Sequence, residues 1–467
     1  MNKIFRLGAT SAAIVLLAGC ASVNFDQAVN DVNNASKDFT GGKLELSRTD
    51  EQLQARTKLS SELLAQPLSM DGAVQLALTN SPAVQTLLAQ SWADMAIANQ
   101  NGRIANPFFT FDRFTFSGGL EIDRFLSFGL LQLLTLPQRQ LISRGQVVQA
   151  RVQLSSNVVD QVTQVRQAWV RAVSAKQSLQ YAEQVNRSAQ ASSELSRRMQ
   201  QIGNFSKLQR ARQQVFYADS VARLASSQHA VTATREELIR LLGLTNAQSE
   251  QLKLPERLPD LPKEARQASA VSATATEQRL DVQIARNQLD IAGRQQGLNL
   301  ITSLVDVDLG IRRDTVFDNA AGTIDRRKGY GLGISLPIFD WGSAKRATMS
   351  AQSLAAANQY ESTVRGAASQ LRESYSAYRA AFDVAQHYRD EIVPLRKTMA
   401  DENMLLYNGM FISVFELLAD MRDQISSVTA AINANQQFWL ADTALAASMI
   451  GKPTSATIVG GNGLAAQ

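Results

Sequence analysis

The sequence predicts a mainly α chain with a β-barrel portion: a long antiparallel coiled-coil α-helical barrel joined to four transmembrane β-strands, the whole arising by internal duplication. Three observations predict it. Val305, Val307, Leu309 and Ile311 alternate with Asp306, Asp308, Gly310 and Arg312, while Tyr330, Leu332, Ile334, Leu336 and Ile338 alternate with Gly331, Gly333 and Ser335. This is the period of two that sets an apolar face against a small, polar one, as in strands with lipid on one side and water on the other. Polar helical stretches of roughly sixty residues surround these segments. After Cys20 no run of about twenty apolar residues occurs, so any bilayer crossing has to use a closed barrel.

From the N-terminus, Lys3 and Arg6 precede an apolar run from Leu7 to Ala18, which ends in Leu17-Ala18-Gly19-Cys20. The pattern resembles a bacterial lipoprotein signal. That resemblance implies a signal peptide over residues 1–19 and lipidation of the Cys20 thiol, with acylation of the new amine, so that several acyl chains anchor the protein. Ala21 and Ser22 follow with no aspartate directly after the cysteine, which implies outer-membrane delivery. An ordinary secretory signal ending in cysteine is the alternative. Cys20 is the only cysteine, so no internal disulfide can form. Residues 20–67 read as the anchor and a polar segment that wraps the outside.

The net charge of +5 and pI near 9.3 are mild for 467 residues, and Lys and Arg interleave with Asp and Glu. Nothing in that balance indicates a nucleic-acid surface.

Two repeats follow, residues 68–244 and 276–451, with an irregular connector at 245–275 that holds Pro255, Pro259 and Pro262, and a flexible tail at 452–467. Leu136-Pro137 matches Leu336-Pro337 at an offset of about 200 residues, far beyond a solenoid period. Ser81-Pro82 matches Leu280-Asp281, Gly203 matches Gly409, and Leu242-Gly243 matches Ile450-Gly451, all in the same order. Helices are expected over residues 71–103, 142–201 and 206–242, then 277–300, 343–407 and 413–450. At about 1.5 Å per residue the long ones span roughly 90 to 100 Å, which the two shorter ones of each half together match. Such lengths need coiled-coil support from neighbours. Gly203 and Gly409 read as the C-caps that turn the two hairpin tips.

The strands are expected near 107–116 and 120–131 in the first repeat (strand region about 107–137), and near 303–313 and 330–338 in the second. Phe109 and Phe111 give way to Phe114 and Phe116 on the other parity, which suggests a bulge near Asp112 and Arg113. Asp306, Asp308, Arg312 and Arg313 read as a polar face toward a lumen or toward the loop. Tyr330 and Trp341 suit an aromatic interface belt, with packing against the following helix start as the alternative for Trp341. Four strands cannot close a barrel, so chains have to share one, two giving the minimum and three leaving room for a lumen.

Leu336-Pro337-Ile338-Phe339-Asp340-Trp341-Gly342 and the tip from Tyr407-Asn408-Gly409 to Glu416-Leu417-Leu418 resemble the TolC-like outer membrane factor family, in particular its lipidated drug- and metal-efflux branch. The resemblance covers nearly the whole mature chain. It implies a homotrimer, a twelve-stranded barrel and a periplasmic tunnel that works with a periplasmic adaptor and an inner-membrane pump. The function it implies is a passive exit duct for drugs, toxic small molecules or metal ions, at the bacterial outer membrane and extending into the periplasm. The family's tip places two residues between its Gly and Ser, whereas Gly409 and Ser413 have three between them. Its acidic pair appears here as Glu416 and Asp420, at i and i+4.

The resemblance implies that Glu416 and Asp420 ring the periplasmic opening, where they would attract cations; a solvated helix face beside Arg422 is an equal reading. Leu417 and Leu418 are candidates for an apolar constriction, although core packing explains leucines at helical spacing. Gly203, Asn204, Phe205 and Ser206, with Gly409, Met410, Phe411 and Ser413, are candidate adaptor-docking tips; turn formation alone also accounts for the glycines. Only His229 and His387 occur, without metal-ligand spacing, and no phosphate-binding glycine loop is present, so the chain reads as no enzyme, without cofactor or metal. Two rival functions remain: an exit duct for secreted proteins, and a non-conducting coiled-coil spacer lipoprotein, which has no need of the apolar alternation at Tyr330 to Ile338.

Overall fold

The computed structural model describes residues 24–35, 37–268, 278–302, 306–318, 321–336 and 338–452. The signal peptide, Cys20, Ser303 to Val305, Asn319, Pro337, part of the connector and the tail beyond Lys452 therefore lie outside the described residues. Helices α1 (Phe25–Ala35), α2 (Lys37–Thr40), α3 (Asp50–Leu64), α4 (Met70–Asn80) and α5 (Pro82–Asn101) lead into strands β1 (Phe108–Phe116) and β2 (Gly119–Gly129). Next come α6 (Leu130–Leu134), the 66-residue α7 (Leu136–Gln201), α8 (Lys207–Leu242), α9 (Asn246–Gln251) and α10 (Leu280–Thr302). Strands β3 (Asp306–Asp318) and β4 (Thr323–Ser335) precede α11 (Ser343–His387), a π-helical turn at Tyr388–Ile392, α12 (Val393–Asn408) and α13 (Val414–Ile450).

Several boundaries differ from expectation for local reasons. The first helix is two, because Ser81 is extended and Pro82 opens the next, as a residue before proline prefers. Leu136-Pro137 starts α7 ahead of the expected start at Ile142, which suits proline in a first helical turn. Residues 343–408 are interrupted at the π turn. Pro394 lacks an N–H to donate backward, and a widened turn just before it absorbs the missing bond. The segment read as wrapping is largely helical, α3 opening with a capping box between Thr49 and Gln52.

The chain divides into two compact units. One holds Gln90–Gln153 and Val282–Val364, with the described residues up to Ala28; the other holds Val29–Ala89, Leu154–Asp281 and the chain from Arg365 onward.

The first unit contains one antiparallel sheet in the order β1-β2-β3-β4. Its register is unbroken from Phe108↔Ser127 to Phe116↔Gly119, so the expected bulge is absent. Phe114 and Phe116 lie on the opposite face from Phe109 and Phe111. Close helix approach in this unit relies on small residues: Ser143 donates to the Ala98 carbonyl at 2.7 Å, and a Cβ at Gly102 would lie 2.8 Å from Ser143.

The second unit is helical. Tyr378, Phe382, Phe438 and Leu445 form a buried cluster with Leu261 of the connector, while the Trp169 indole donates to the Leu68 carbonyl at 2.8 Å. Asn80 ties α4 to the end of α8 through the carbonyls of Leu242 and Gly243. Asp442 bonds Arg266; burial raises its proton affinity and the guanidinium opposes the rise. Among the described residues no helix is long and apolar enough to cross a membrane.

Candidate functional site

Directly paired residues of an antiparallel sheet share a face, so the register assigns every strand residue to one of two. On one face Asp306, Asp308 and Arg312 join Asp123, Asp314, Gly310, Gly331 and Gly333. Arg312 donates to Asp314 at 3.0 Å and also to Asp123, the latter carboxylate being 5% exposed. Phe125 lies over Gly310, where any side chain would collide with its ring. The other face carries Phe109, Phe111, Leu126, Val307, Leu309, Ile311, Tyr330, Leu332 and Ile334. Its apolar side chains stand in the open: Tyr330 is 88% exposed and Leu332 57%.

A sheet with one broad apolar face open and one polar face lined by glycine and charge is suited to lipid on one side and water on the other. Arg313, expected on the polar face, lies on the apolar one opposite Arg124 and Lys328. The shift arises because neighbours along a strand alternate faces. Tyr330 lies well inside β4 rather than at its end, since the strand begins at Thr323. Each outer strand, β1 and β4, has one edge that pairs with no strand among the described residues.

The two hairpin tips lie in the helical unit. In the first, Gly203 takes a left-handed φ of 82°, Phe205 is buried, and Ser206 forms a capping box with Gln209. In the second, Gly409 has φ −78° and caps α12 without left-handed geometry. Met410 takes the left-handed position instead, with φ 62°. The extra residue of this tip displaces the turn by one. A Cβ at Gly409 would lie 2.8 Å from the Phe411 ring, so a side chain there would make this exposed ring turn aside. Met410 and Phe411 are 93% and 81% exposed. Left-handed backbone costs a residue with a Cβ about 1–2 kcal/mol, so Met410→Gly is expected to stabilise the tip by about 1 kcal/mol, read as slower amide exchange at residues 405–413. Faster exchange would show that φ 62° carries no strain.

Glu416, Leu417, Leu418 and Asp420 all fall on α13 just after that tip. Glu416 accepts from the Ser413 backbone N–H at 3.0 Å while its own N–H donates to the Ser413 hydroxyl, completing a capping box. Asp420 accepts from Asn403 of α12 at 2.9 Å and lies 3.9 Å from Arg396. Leu417 is buried and Leu418 half-buried. The two carboxylates are thus held by different partners.

Arg422 was legible only as a neighbour of the acidic pair. Its guanidinium lies over the Phe216 ring at 4.5 Å and donates to Gln213 at 3.2 Å and to the Arg212 carbonyl at 3.4 Å. It thereby bridges α13 to α8, beside a cavity of about 470 Å³ lined by Tyr181, Phe216, Asp219 and Arg422. Its signal lies in residues some two hundred positions away, which local pattern cannot supply. Among the described residues no group of three or more His, Cys, Asp or Glu could hold a metal.

Neither a protein-family model nor a curated protein matches the sequence. Solved structures match it by fold. The outer membrane protein VceC from Vibrio cholerae superposes with a TM-score of 0.68 at 14% identity, covering 82% of this chain and 96% of that one. The outer-membrane channel OprN gives 0.65 at 17%, covering 88% and 95%. The open state of the Neisseria gonorrhoeae MtrE outer membrane channel gives 0.60 at 17%, covering 85% and 89%. The chain therefore has the fold of outer-membrane channels.

Proposed function

We propose that three copies of this chain form an outer-membrane channel, the passive exit duct of a tripartite efflux system for drugs, toxic small molecules or metal ions, anchored through acyl chains on Cys20. The observation that carries this reading is the sheet: four strands, too few to close, with an exposed apolar face, a glycine- and charge-lined face, and open edges on β1 and β4. Closure across chains satisfies those edges and places lipid outside and water inside. Internal duplication has its own support, since a Cβ at Gly243 would strike Ser81 and Pro82 just as one at Gly451 would strike Arg279, Leu280 and Asp281.

Cysteines test closure. Thr110 and Gly329 share a row across the sheet but are three strands apart, roughly 14 Å, beyond the ~7 Å limit for a disulfide within one chain. A Thr110→Cys, Gly329→Cys variant, scanned to Arg327→Cys and Gly331→Cys to find the register, should give covalent dimers and trimers on oxidation in membranes. Monomers alone at all three registers would refute the shared barrel.

At the tips, we place the adaptor contact on exposed Met410 and Phe411 with Gly203, Asn204 and Ser206, and the cation-selective ring at Glu416 and Asp420. Glu416→Gln keeps the capping box, as Gln209 shows in the first tip, and Asp420→Asn keeps a partner for Asn403. The double variant should therefore fold normally and lose cation preference in single-channel reversal potentials. An unchanged potential counts against the ring.

A further inference from the structure

Toward the hairpin turns the apolar face of the sheet carries a patch of like charge, followed by one last row of Thr115, Leu120, Phe317 and Ile324. Arg124, Arg313 and Lys328 are directly paired in one row across β2, β3 and β4, and Arg113 and Arg326 occupy the next row on that face toward the hairpin turns. No acidic residue of the four strands lies on this face; Asp112, Asp123 and Asp314, in the row between, all point to the other. Arg312 and Arg327, on the polar face, pair with aspartates. The five cations on the apolar face form no ion pair among the described residues, and four of them are exposed, with Arg124 half-buried.

Like charges directly opposite one another destabilise a sheet, so this row calls for a counter-charge from outside the chain. Its position specifies the source. The row adjoining it on the apolar side holds Phe109, Leu126, Ile311 and Tyr330, an aromatic and aliphatic border of the kind found where hydrocarbon meets headgroup. Beyond that border the face is apolar through Ile334. The cations thus stand at the depth of lipid phosphates.

We propose that Arg113, Arg124, Arg313, Arg326 and Lys328 form a belt that binds the headgroup phosphates of anionic lipids in the surrounding leaflet. The belt rests on the membrane reading of the sheet. Arginine forks match phosphate oxygens bidentately, and alternate residues along paired strands present several forks to one headgroup layer.

The test uses the full chain reconstituted into vesicles of phosphatidylcholine mixed equally with phosphatidylglycerol, then delipidated in neutral detergent, with retained phosphatidylglycerol counted by native mass spectrometry. Each cation removed should weaken retention about fivefold, so R124Q/R313Q should bind about 25-fold more weakly, and the five-fold glutamine variant should retain none. The R124K/R313K variant keeps charge and guards against misfolding; it should retain lipid within a fewfold of the unaltered chain. Current through pure phosphatidylcholine bilayers is measured in parallel. Equal retention by the unaltered chain and R124Q/R313Q, with current intact, overturns the belt alone. Absence of current from the unaltered chain overturns instead the channel reading beneath it.

Discussion

Leu332→Arg is expected to prevent assembly in the membrane. Leu332 pairs with Leu309 in the middle of the apolar face, flanked on that face by Tyr330 and Ile334, and is 57% exposed on the single chain. In the proposed barrel this exposed leucine and its apolar neighbours face lipid. An arginine at the depth of the bilayer midplane costs about 2–4 kcal/mol in a barrel, and a trimer would bear that cost three times. The measurement is the yield of heat-modifiable oligomer from outer membranes, which should fall below detection. Gly333→Ser is the control: it lies one residue away on the polar face, and a Cβ there meets Asp308 at an ordinary 3.7 Å. Near-normal oligomer from Leu332→Arg would mean that this face does not meet lipid.

Phe438→Ala is expected to cost about 3–5 kcal/mol in the helical unit, the range for emptying a buried aromatic site. Phe438 is 1% exposed. Its ring centroid lies 5.7 Å from those of Tyr378 and Phe382 and 5.2 Å from that of Trp439; the Phe382 and Trp439 contacts are edge-on, a geometry that adds to area burial. The consequence extends beyond the cavity. The Tyr378 hydroxyl accepts from the Arg266 N–H at 3.0 Å, the Tyr375 hydroxyl donates to the Arg266 carbonyl at 3.2 Å, and Arg266 pairs with Asp442 at 2.9 Å. Loosening the aromatic cluster should therefore release the connector. Limited proteolysis should cut the variant between residues 255 and 268 at a temperature where the unaltered chain resists, and thermal unfolding should begin earlier. Unchanged proteolysis would show that the connector is held independently of the cluster.

What the sequence made legible divides along physical lines. The alternation at Tyr330 to Ile338 marks a strand because one face is uniformly apolar, although β4 already ends at Ser335, before Leu336 and Ile338; the helices expected from Ser206 and Ser413 are capped by those residues, each completing a local capping box with Gln209 or Glu416. The first half of β4 was missed. Arg326, Arg327 and Lys328 fall before the strand expected from Tyr330, and only pairing with β3 through Arg313, Asp314 and Thr315 makes them strand. The aromatic parity change in β1 suggests a bulge, whereas the register runs straight and Phe114 and Phe116 sit on the polar face near the hairpin turn. Gly409 reads as a C-cap and does cap α12, but the left-handed conformation of the longer second tip falls on Met410, which propensity does not indicate. Arg422 was out of reach for a different reason: its partners on α8 come near only through folding.

These elements converge on one claim, that separate chains pool their strands into a water-filled pore. Single-channel recording of the purified full chain in planar phosphatidylcholine bilayers tests it most directly. Discrete, uniform current steps are the predicted result. Bilayers that stay electrically silent after verified insertion of the protein would contradict it.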